Sequence, residues 1–420
     1  MTKTLNSQQN AIIQNAVNQS AWQDPKRRFW LCSPALPFLG CLFAIGLRDQ
    51  KGFDLKNTAM AWAGTLLIHA IIPLADVIVG RDDSNPPDNA MKALEQDPYY
   101  RWIAHAFIPL QYTALILLAR QYIERDLPWY NRLGVALTAG IVSGVAINTA
   151  HELGHKTDRL NRNLARLSLA PAAYGHFAIE HNFGHHRWVA TPKDPASSQY
   201  NESFWQFLPR TVIGGLRSSI NIESERLARR EKSFWHPDNE LLQGWALSVA
   251  LYALLYKVFG KRILPFIGLQ AIYGLSLLEV VNYLEHYGLL RQQDEKGRFE
   301  RTQPEHSWNS NHTVTNLFLY QLQRHSDHHA HPSRAYQLLR HFDEAPQLPI
   351  GYASMILPAY IPPLWFAIMN KRVKAHYDND MSKVNMHPKP LSPMMQRITD
   401  SIEKGLDLFG RLRSKRWDDK

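Results

Sequence analysis

Long apolar stretches alternate with polar segments along this chain. Six of them stand out, at residues 29–47, 59–79, 103–119, 134–150, 242–259 and 264–284. Each is near the roughly 17 to 25 residues that a helix needs to cross the hydrocarbon core of a membrane. A buried helix of a globular protein is the alternative for any one stretch. Six together predict an all-α integral membrane protein with a six-helix transmembrane bundle.

The polar segments between these stretches differ in length. Those at 48–58, 120–133 and 260–263 are short, whereas those at 80–102, 151–241 and from 285 onwards are longer. The basic triplet at 26–28 precedes the first stretch, and the positive-inside tendency then places the longer segments in the cytoplasm. We therefore expect a cytoplasmic N-terminal segment (1–28), transmembrane helices 1–4 (29–150), a cytoplasmic histidine-rich region (151–241), transmembrane helices 5 and 6 (242–284), a helical cytoplasmic cap (285–380) and a C-terminal tail (381–420).

Nine of the nineteen histidines fall into four groups that read HELGH, EHNFGHH, NYLEHYG and RHSDHHAH. They are His151, His155, His181, His185, His186, His286, His325, His328 and His329. Clustered imidazoles are typical ligands of iron, zinc and copper. The spacings i,i+4 and i,i+3 put two rings on one face of a helix, so each group could hold one ion from one side. Nine imidazoles exceed the needs of one ion and predict a dinuclear site, although spacing alone leaves the isolated His286 open.

The positions of the four groups agree with the predicted topology. His151 follows the fourth apolar stretch and His286 follows the sixth, while the other groups lie in the long polar segments. All nine histidines therefore face the same side of the membrane. Polar residues inside apolar stretches also mark function or a buried pair, and both readings stay open for His69, Asp76 and Glu279.

Composition limits how such a site could obtain electrons. The two cysteines, Cys32 and Cys41, both lie in the first apolar stretch, and the sequence contains neither a dinucleotide-binding nor a phosphate-binding glycine motif. Redox chemistry would therefore need electrons from another protein. The formal net charge of +10 suits an acidic electron carrier or anionic membrane lipid. We expect no nucleic-acid partner, because the basic residues flank the apolar stretches.

Two other functions fit part of the histidine pattern. HELGH matches the zinc-peptidase motif H-E-x-x-H, with Glu152 as general base, but a peptidase site would leave six grouped histidines without a role. A metal transporter could also bind ions with imidazoles. Transport sites lie near the middle of the bilayer, whereas these histidines lie beyond the ends of the apolar stretches.

The phrases HELGHK, EHNFGHH, TPKDPASS, NYLEHYGLLRQ and SWNSNHTVTNLFLYQLQRHSDHHAHPSRAYQ resemble the membrane-bound alkane 1-monooxygenases of bacteria, the non-haem diiron alkane hydroxylases. The resemblance runs from about residue 29 to 371. The histidine doublets are shared with membrane fatty-acid desaturases and xylene monooxygenases, so desaturation and aryl-methyl hydroxylation stay open as alternatives.

This resemblance implies a six-helix membrane bundle with a cytoplasmic cap, in which all nine histidines, His286 included, bind two iron ions. It implies terminal hydroxylation of medium- and long-chain n-alkanes to primary alcohols with O2, at the cytoplasmic side of the bacterial inner membrane. Electrons would come from rubredoxin, which an NAD(P)H-dependent rubredoxin reductase reduces.

Polar neighbours of the nine histidines are candidates to hold the second ring nitrogen of a ligand and so fix its orientation. They are Glu152, Glu180, Asp194, Glu285, His312 and Asp327. The substrate has no polar group, so the protein's part is to position the chain end and exclude water. We expect an apolar channel between the spans, with Ile68 and Ile72 among its walls.

Overall fold

The computed structural model describes residues 22–418 of the chain, with side chains up to residue 408. Within these residues the protein is built from helices and contains no β-strand beyond isolated bridges. The predicted all-α class is confirmed. Residues 1–21 of the predicted N-terminal segment and residues 419–420 of the predicted tail lie outside the described residues.

Five described helices are long and apolar enough to cross a membrane. They are Arg27–Gly46, Pro98–Glu124, Trp129–Gly154, Glu240–Phe259 and Lys261–His286. The second predicted stretch forms two helices, Leu55–Ala61 and Ala63–Val79, which meet at 75°. Counting this bent pair as one, we number the six in chain order as spans 1 to 6. The predicted six-helix bundle is confirmed, with a broken second span.

The break in span 2 is stabilised by a hydroxyl group from span 4. Thr138 donates its Oγ1 hydrogen to the carbonyl of Ala61 (2.9 Å), and the same oxygen accepts from the N–H of Gly64 (3.2 Å). These are backbone groups that a continuous helix would pair internally. Gly64 also lies against the backbone of Thr138, where an added Cβ would approach the Thr138 Cα to 3.0 Å. A polar partner and a close approach therefore let the chain turn inside the bundle.

Spans 4 and 6 form the centre of the bundle. Their backbones approach closely through glycines, and a Cβ on Gly144 would lie 2.9 Å from the carbonyl oxygen of Gly274. Small residues permit such contact between membrane helices. Both helices end on the same side, at residues that include His151 and His286. The packing thus sets the relative position of the two histidines.

The remaining longer helices lie outside the six spans in the sequence. They are Asp88–Gln96, Arg159–Leu169, Phe204–Ala228, Tyr352–Tyr360, Pro362–His376 and Pro393–Asp418. Tyr352 and Trp365 are fully buried, so the two helices that carry them complete the core beside span 6. The last helix packs on Pro362–His376 and is joined to it by an ion pair between Lys371 and Asp407 (2.8 Å).

Candidate metal centre

Four elements bring the nine predicted histidines together. His151 lies in the last turn of span 4 and His155 follows it; His286 ends span 6. The π-helical turn Glu180–His185 and the next residue carry the second group, and the short helix His325–Ala330 carries the last. All nine rings meet at one end of the bundle, as the topology predicts.

The nine rings divide into a five-histidine group and a four-histidine group. Within each group, one ligand atom per residue lies within 4.8 Å of all the others. The five-histidine group is His151, His155, His181, His186 and His328, and the four-histidine group is His185, His286, His325 and His329. The rings of the four-histidine group are all buried. His155 and His186 are partly exposed.

This division differs from the expectation that each sequence group holds one ion. In the π-helical turn, hydrogen bonds from i to i+5 make residues five apart neighbours. The Nε2 atoms of His181 and His186 are therefore 3.0 Å apart, while His185 joins the other group. The last sequence group is divided as well, because His325 faces His329 (Nε2–Nε2 2.9 Å) and His328 faces His151 (2.8 Å).

The ring nitrogens of each group fit a shared cation. In the five-histidine group the His328 Nε2 faces the Nε2 atoms of both His151 and His186, at 2.8 and 3.0 Å. Each ring nitrogen has a single donor or acceptor position in the ring plane, so hydrogen bonds cannot satisfy both contacts. Ligand nitrogens about 2.1 Å from one ion and at right angles lie about 3 Å apart.

The same test holds for the four-histidine group. The His325 Nε2 faces the Nε2 atoms of His286 (3.2 Å) and His329 (2.9 Å). The buried His185 Nε2 has no hydrogen-bond partner among the described residues. A donor set of imidazoles alone suits iron, zinc or copper. Two groups of residues therefore fit one metal ion each.

Burial keeps most of these rings neutral, the form that binds metal. Loss of solvation, reinforced by neighbouring histidines, lowers the pKa well below its ordinary value in His181, His186, His325, His328 and His329. His185 is the exception. Burial alone would lower its pKa, but the charge and hydrogen bond of Asp194, together with the charges of Glu180 and Glu279, outweigh burial and raise the His185 pKa.

Asp194 fixes the orientation of His185. Its Oδ2 lies 2.9 Å from the His185 Nδ1 and also accepts from the hydroxyl of Ser197 (2.6 Å). The Nδ1–H therefore donates to Asp194, which leaves the Nε2 lone pair free for a metal ion. Arg210 supports the loop, donating to the carbonyls of Pro195 and Ser197 (both 3.0 Å). The sequence reasoning missed Ser197 and Arg210; Ser197 lies in the phrase TPKDPASS.

Three of the other candidates hold partners outside the nine rings. Glu152 forms an ion pair with Lys156 (2.9 Å), and Asp327 pairs with Arg334 (2.5 Å). His312 contacts the Ser310 hydroxyl through Nδ1 (2.9 Å). For these three the expected contact with a ligand ring is not made. Cationic neighbours and a nearby hydroxyl satisfy them instead.

The other two candidates lie beside the four-histidine group. Glu180 is buried near Ser218, and burial together with the charge of Asp194 raises the pKa of Glu180 to about 8. The Glu285 carboxylate reaches His325, with Oε2 3.2 Å from Nε2. It does so at the nitrogen that faces the other rings and not at the second ring nitrogen.

Each of the three polar residues inside the spans has a hydrogen-bond partner within the bundle. His69 contacts the hydroxyl of Tyr273 (2.8 Å), and Asp76 accepts from the N–H (3.0 Å) and the hydroxyl of Thr315. Glu279 accepts from Tyr174 (2.6 Å), Thr211 (2.9 Å) and Asn282 (3.2 Å). These contacts favour the reading of buried pairs.

An apolar cavity of about 50 Å³ lies between the spans. Its walls include the predicted Ile68 and Ile72, together with Val145, Asn148, Leu277, Val281, Phe318, Leu322 and Ile356. Asn148 comes one helical turn before His151, and Leu322 comes three residues before His325. The wall therefore includes a close sequence neighbour of one histidine from each group.

A wide basic groove of about 1020 Å³ reaches the five-histidine group from the surface. His155 lines the groove. Its basic residues are Lys156, Arg162, Arg166, Arg187, Arg226, Arg229 and Arg230, and its acidic ones are Glu223, Glu225 and Glu240. The cations outnumber the carboxylates, so the groove carries net positive charge.

Comparison with known proteins agrees with this arrangement. Residues 127–358, which include all nine histidines, match the fatty acid desaturase family. Alkane 1-monooxygenase of Acinetobacter baylyi is 50% identical over 93% of this chain and 96% of its own, and that of Pseudomonas putida is 41% identical over 90% and 93%. A xylene/toluene monooxygenase hydroxylase component of Pseudomonas putida is 30% identical over 57% and 63%.

The matches to the alkane 1-monooxygenases thus extend over most of the chain, beyond the residues that match the fatty acid desaturase family. A membrane bundle, two histidine groups that fit metal ions and relatives along almost its whole length make the chain a membrane monooxygenase. It belongs to the alkane 1-monooxygenases and, with them, to the fatty acid desaturase family.

Proposed function

We propose that this protein hydroxylates the terminal carbon of medium- and long-chain n-alkanes to primary alcohols. Two iron ions in the two histidine groups, O2, and electrons from rubredoxin complete the reaction. The observation that carries the proposal is the apolar cavity between the spans, whose wall includes Asn148 and Leu322, each three positions before a histidine of one of the two groups. It offers an alkane a place of matching chemistry close to the metal centre.

The reaction joins an alkane, O2, two electrons and two protons to give an alcohol and water. The bound irons supply the activation of O2 and the hydroxylation of the C–H bond. The nine imidazoles would hold the ions, and Asp194 orients His185 for this role. Burial of the four-histidine group excludes water from the reacting end of the site.

Terminal selectivity follows from the shape and polarity of the cavity. Three of its wall residues, Asn148, Thr315 and Tyr352, carry polar groups, and each donates a hydrogen bond elsewhere. The Asn148 amide donates to the carbonyl of Leu319 (2.8 Å), the Thr315 hydroxyl donates to Asp76, and the Tyr352 hydroxyl donates to the carbonyl of Trp308 (2.6 Å). The rest of the wall is apolar and suits an apolar chain. An alkane would lie along the cavity with its end toward the histidines.

The basic groove is the proposed docking place for rubredoxin. Its net positive charge attracts an acidic electron carrier and steers its approach. His155 lines the groove and belongs to the five-histidine group. A carrier bound in the groove would therefore lie beside a member of that group. Electrons would enter through the five-histidine group.

The orientation in the membrane is proposed on the same grounds. Both histidine groups and the basic groove lie at one end of the bundle, and a positively charged end favours the cytoplasmic side of the bacterial inner membrane. The residues between spans 4 and 5 and those after span 6 would then form the cytoplasmic cap. Residues 29–150 and 242–284 would form the transmembrane part.

Product analysis tests the proposal. Membranes that contain the chain are given octane or hexadecane, 18O2, rubredoxin, its reductase and NADH. We expect the 1-alcohol with one 18O atom. The second candidate, aryl-methyl hydroxylation, is favoured by the similarity to the xylene/toluene monooxygenase component, and m-xylene in place of the alkane tests it. An unlabelled alkene would contradict both and indicate a desaturase.

A further inference from the structure

Glu285 is a fully buried carboxylate that faces the four-histidine group. It is 1% exposed and immediately precedes His286 at the end of span 6. Its Oε2 lies 3.2 Å from the Nε2 of His325. That nitrogen also faces the Nε2 atoms of His286 (3.2 Å) and His329 (2.9 Å). The Glu285 oxygen is thus about as far from the His325 Nε2 as the Nε2 atoms of His286 and His329 are.

A hydrogen bond cannot explain this contact in the metal-loaded protein. An imidazole that binds an ion through Nε2 carries no hydrogen on that atom. The carboxylate would then face a lone pair, which repels it, unless the same ion lies between them. Asp194 shows the other arrangement, because it contacts the Nδ1 of His185 and leaves Nε2 free.

The charge of Glu285 also lacks a cationic side chain. Among the residues that the structure describes, no lysine or arginine pairs with it, and its Oε1 has no hydrogen-bond partner. Burial of an unpaired carboxylate is strongly unfavourable, and a metal ion is one of the partners that offset this cost. Glu279, on the same helix, accepts three hydrogen bonds and is satisfied without an ion.

The number of donors points the same way. One group offers five imidazoles and the other offers four. Glu285 lies at the edge of the four-histidine group, beside His325, and is not among the atoms within 4.8 Å of one another.

We propose that Glu285 is the fifth protein ligand of the metal ion in the four-histidine group. The proposal rests on the proposed function, which places an iron in that group. It gives each ion five protein ligands, five imidazoles at one and four imidazoles with a carboxylate at the other. The anionic ligand makes the two ions chemically unequal and lowers the net charge at the buried one.

Iron titration tests this ligand. The full-length chain in detergent is stripped of metal and titrated anaerobically with Fe(II). We expect two ions in the wild type, and in the isosteric variant Glu285→Gln we expect at least about tenfold weaker binding of one ion, since an amide is the poorer ligand. Glu279→Gln is the matched control, a buried glutamate on the same helix, and should bind both ions as the wild type does.

Infrared difference spectroscopy of the wild type keeps the test independent of variant folding. The spectrum of the Fe(II)-loaded chain minus that of the stripped chain should contain carboxylate bands that shift on labelling with 13C-glutamate. Absence of such bands, or wild-type affinity for both ions in Glu285→Gln, would overturn the proposal that Glu285 is a ligand and leave the proposed metal centre intact. A wild-type chain that binds fewer than two ions would overturn the proposed metal centre as well.

Discussion

The Nε2 atoms of His181 and His186 lie 3.0 Å apart, although the two residues are five positions apart in the sequence. An α-helix would instead place His181 beside His185. In the π-helical turn at Glu180–His185, His181 pairs with His186 instead of His185, and His185 belongs to the four-histidine group. A single turn therefore supplies ligands to both proposed ions and sets how close they are.

Loss of one ring should affect one ion. We expect His328→Ala to remove the ion of the five-histidine group and His185→Ala to remove the other, and either loss should lower hydroxylation at least about a hundredfold. Iron content and alcohol formation in purified membranes measure both effects. His331→Ala is the control, since His331 belongs to the same sequence motif but to neither group, and it should retain two ions.

Asp194→Asn should weaken the ion of the four-histidine group. Asn keeps the shape of the side chain but lacks the charge that holds the Nδ1–H of His185, and the loss of such a partner typically costs about 10- to 100-fold in metal affinity. Competition with a metal chelator measures this affinity. Asp294→Asn, which changes an exposed loop residue paired with Arg298, should match the wild type. Equal affinity in both variants would contradict the role of Asp194.

A larger side chain in the cavity should shorten the accepted alkane. Ile72 lines the cavity, so Ile72→Trp fills space that the alkane would occupy. We expect the preferred chain length to fall by several carbons, measured by competition among alkanes from octane to hexadecane. Ile71→Trp is the matched control, because Ile71 is 56% exposed on the outside of the same helix. A change of preferred chain length in Ile71→Trp but not in Ile72→Trp would show that the alkane does not bind in this cavity.

Charge reversal in the basic groove should weaken rubredoxin binding. The double variant Arg229→Glu with Arg230→Glu should raise the KM for reduced rubredoxin about tenfold at low ionic strength, and the difference should narrow as salt screens the charges. Arg298→Glu reverses a similarly exposed arginine outside the groove and is the control. The same KM in all three proteins would exclude the groove as the docking surface.

Much of the fold could be predicted because membrane crossing leaves a strong signal in the sequence. Six apolar stretches became six spans, and the placement of His151 and His286 at span ends followed from them. The break at Trp62 could not be predicted, because the hydroxyl that stabilises it comes from Thr138, more than seventy residues later. Contacts between distant segments leave no local pattern.

The candidate site shows the same limit. The nine histidines could be selected from their spacing and the resemblance, but their division between two groups depends on a π-helical turn that helical spacing does not reveal. Glu152 and Asp194 look equivalent in the sequence, as acidic residues beside histidines. Lys156 lies within reach of one and His185 within reach of the other, and these neighbours decide their roles.

Iron content and the spectroscopic character of the irons in the purified wild-type chain test the central claim most directly. Mössbauer spectroscopy of the 57Fe(II)-loaded protein should show about two irons per chain in two distinct environments of equal population, as groups of five and four histidines require. One iron per chain, or a single zinc ion, would contradict the account.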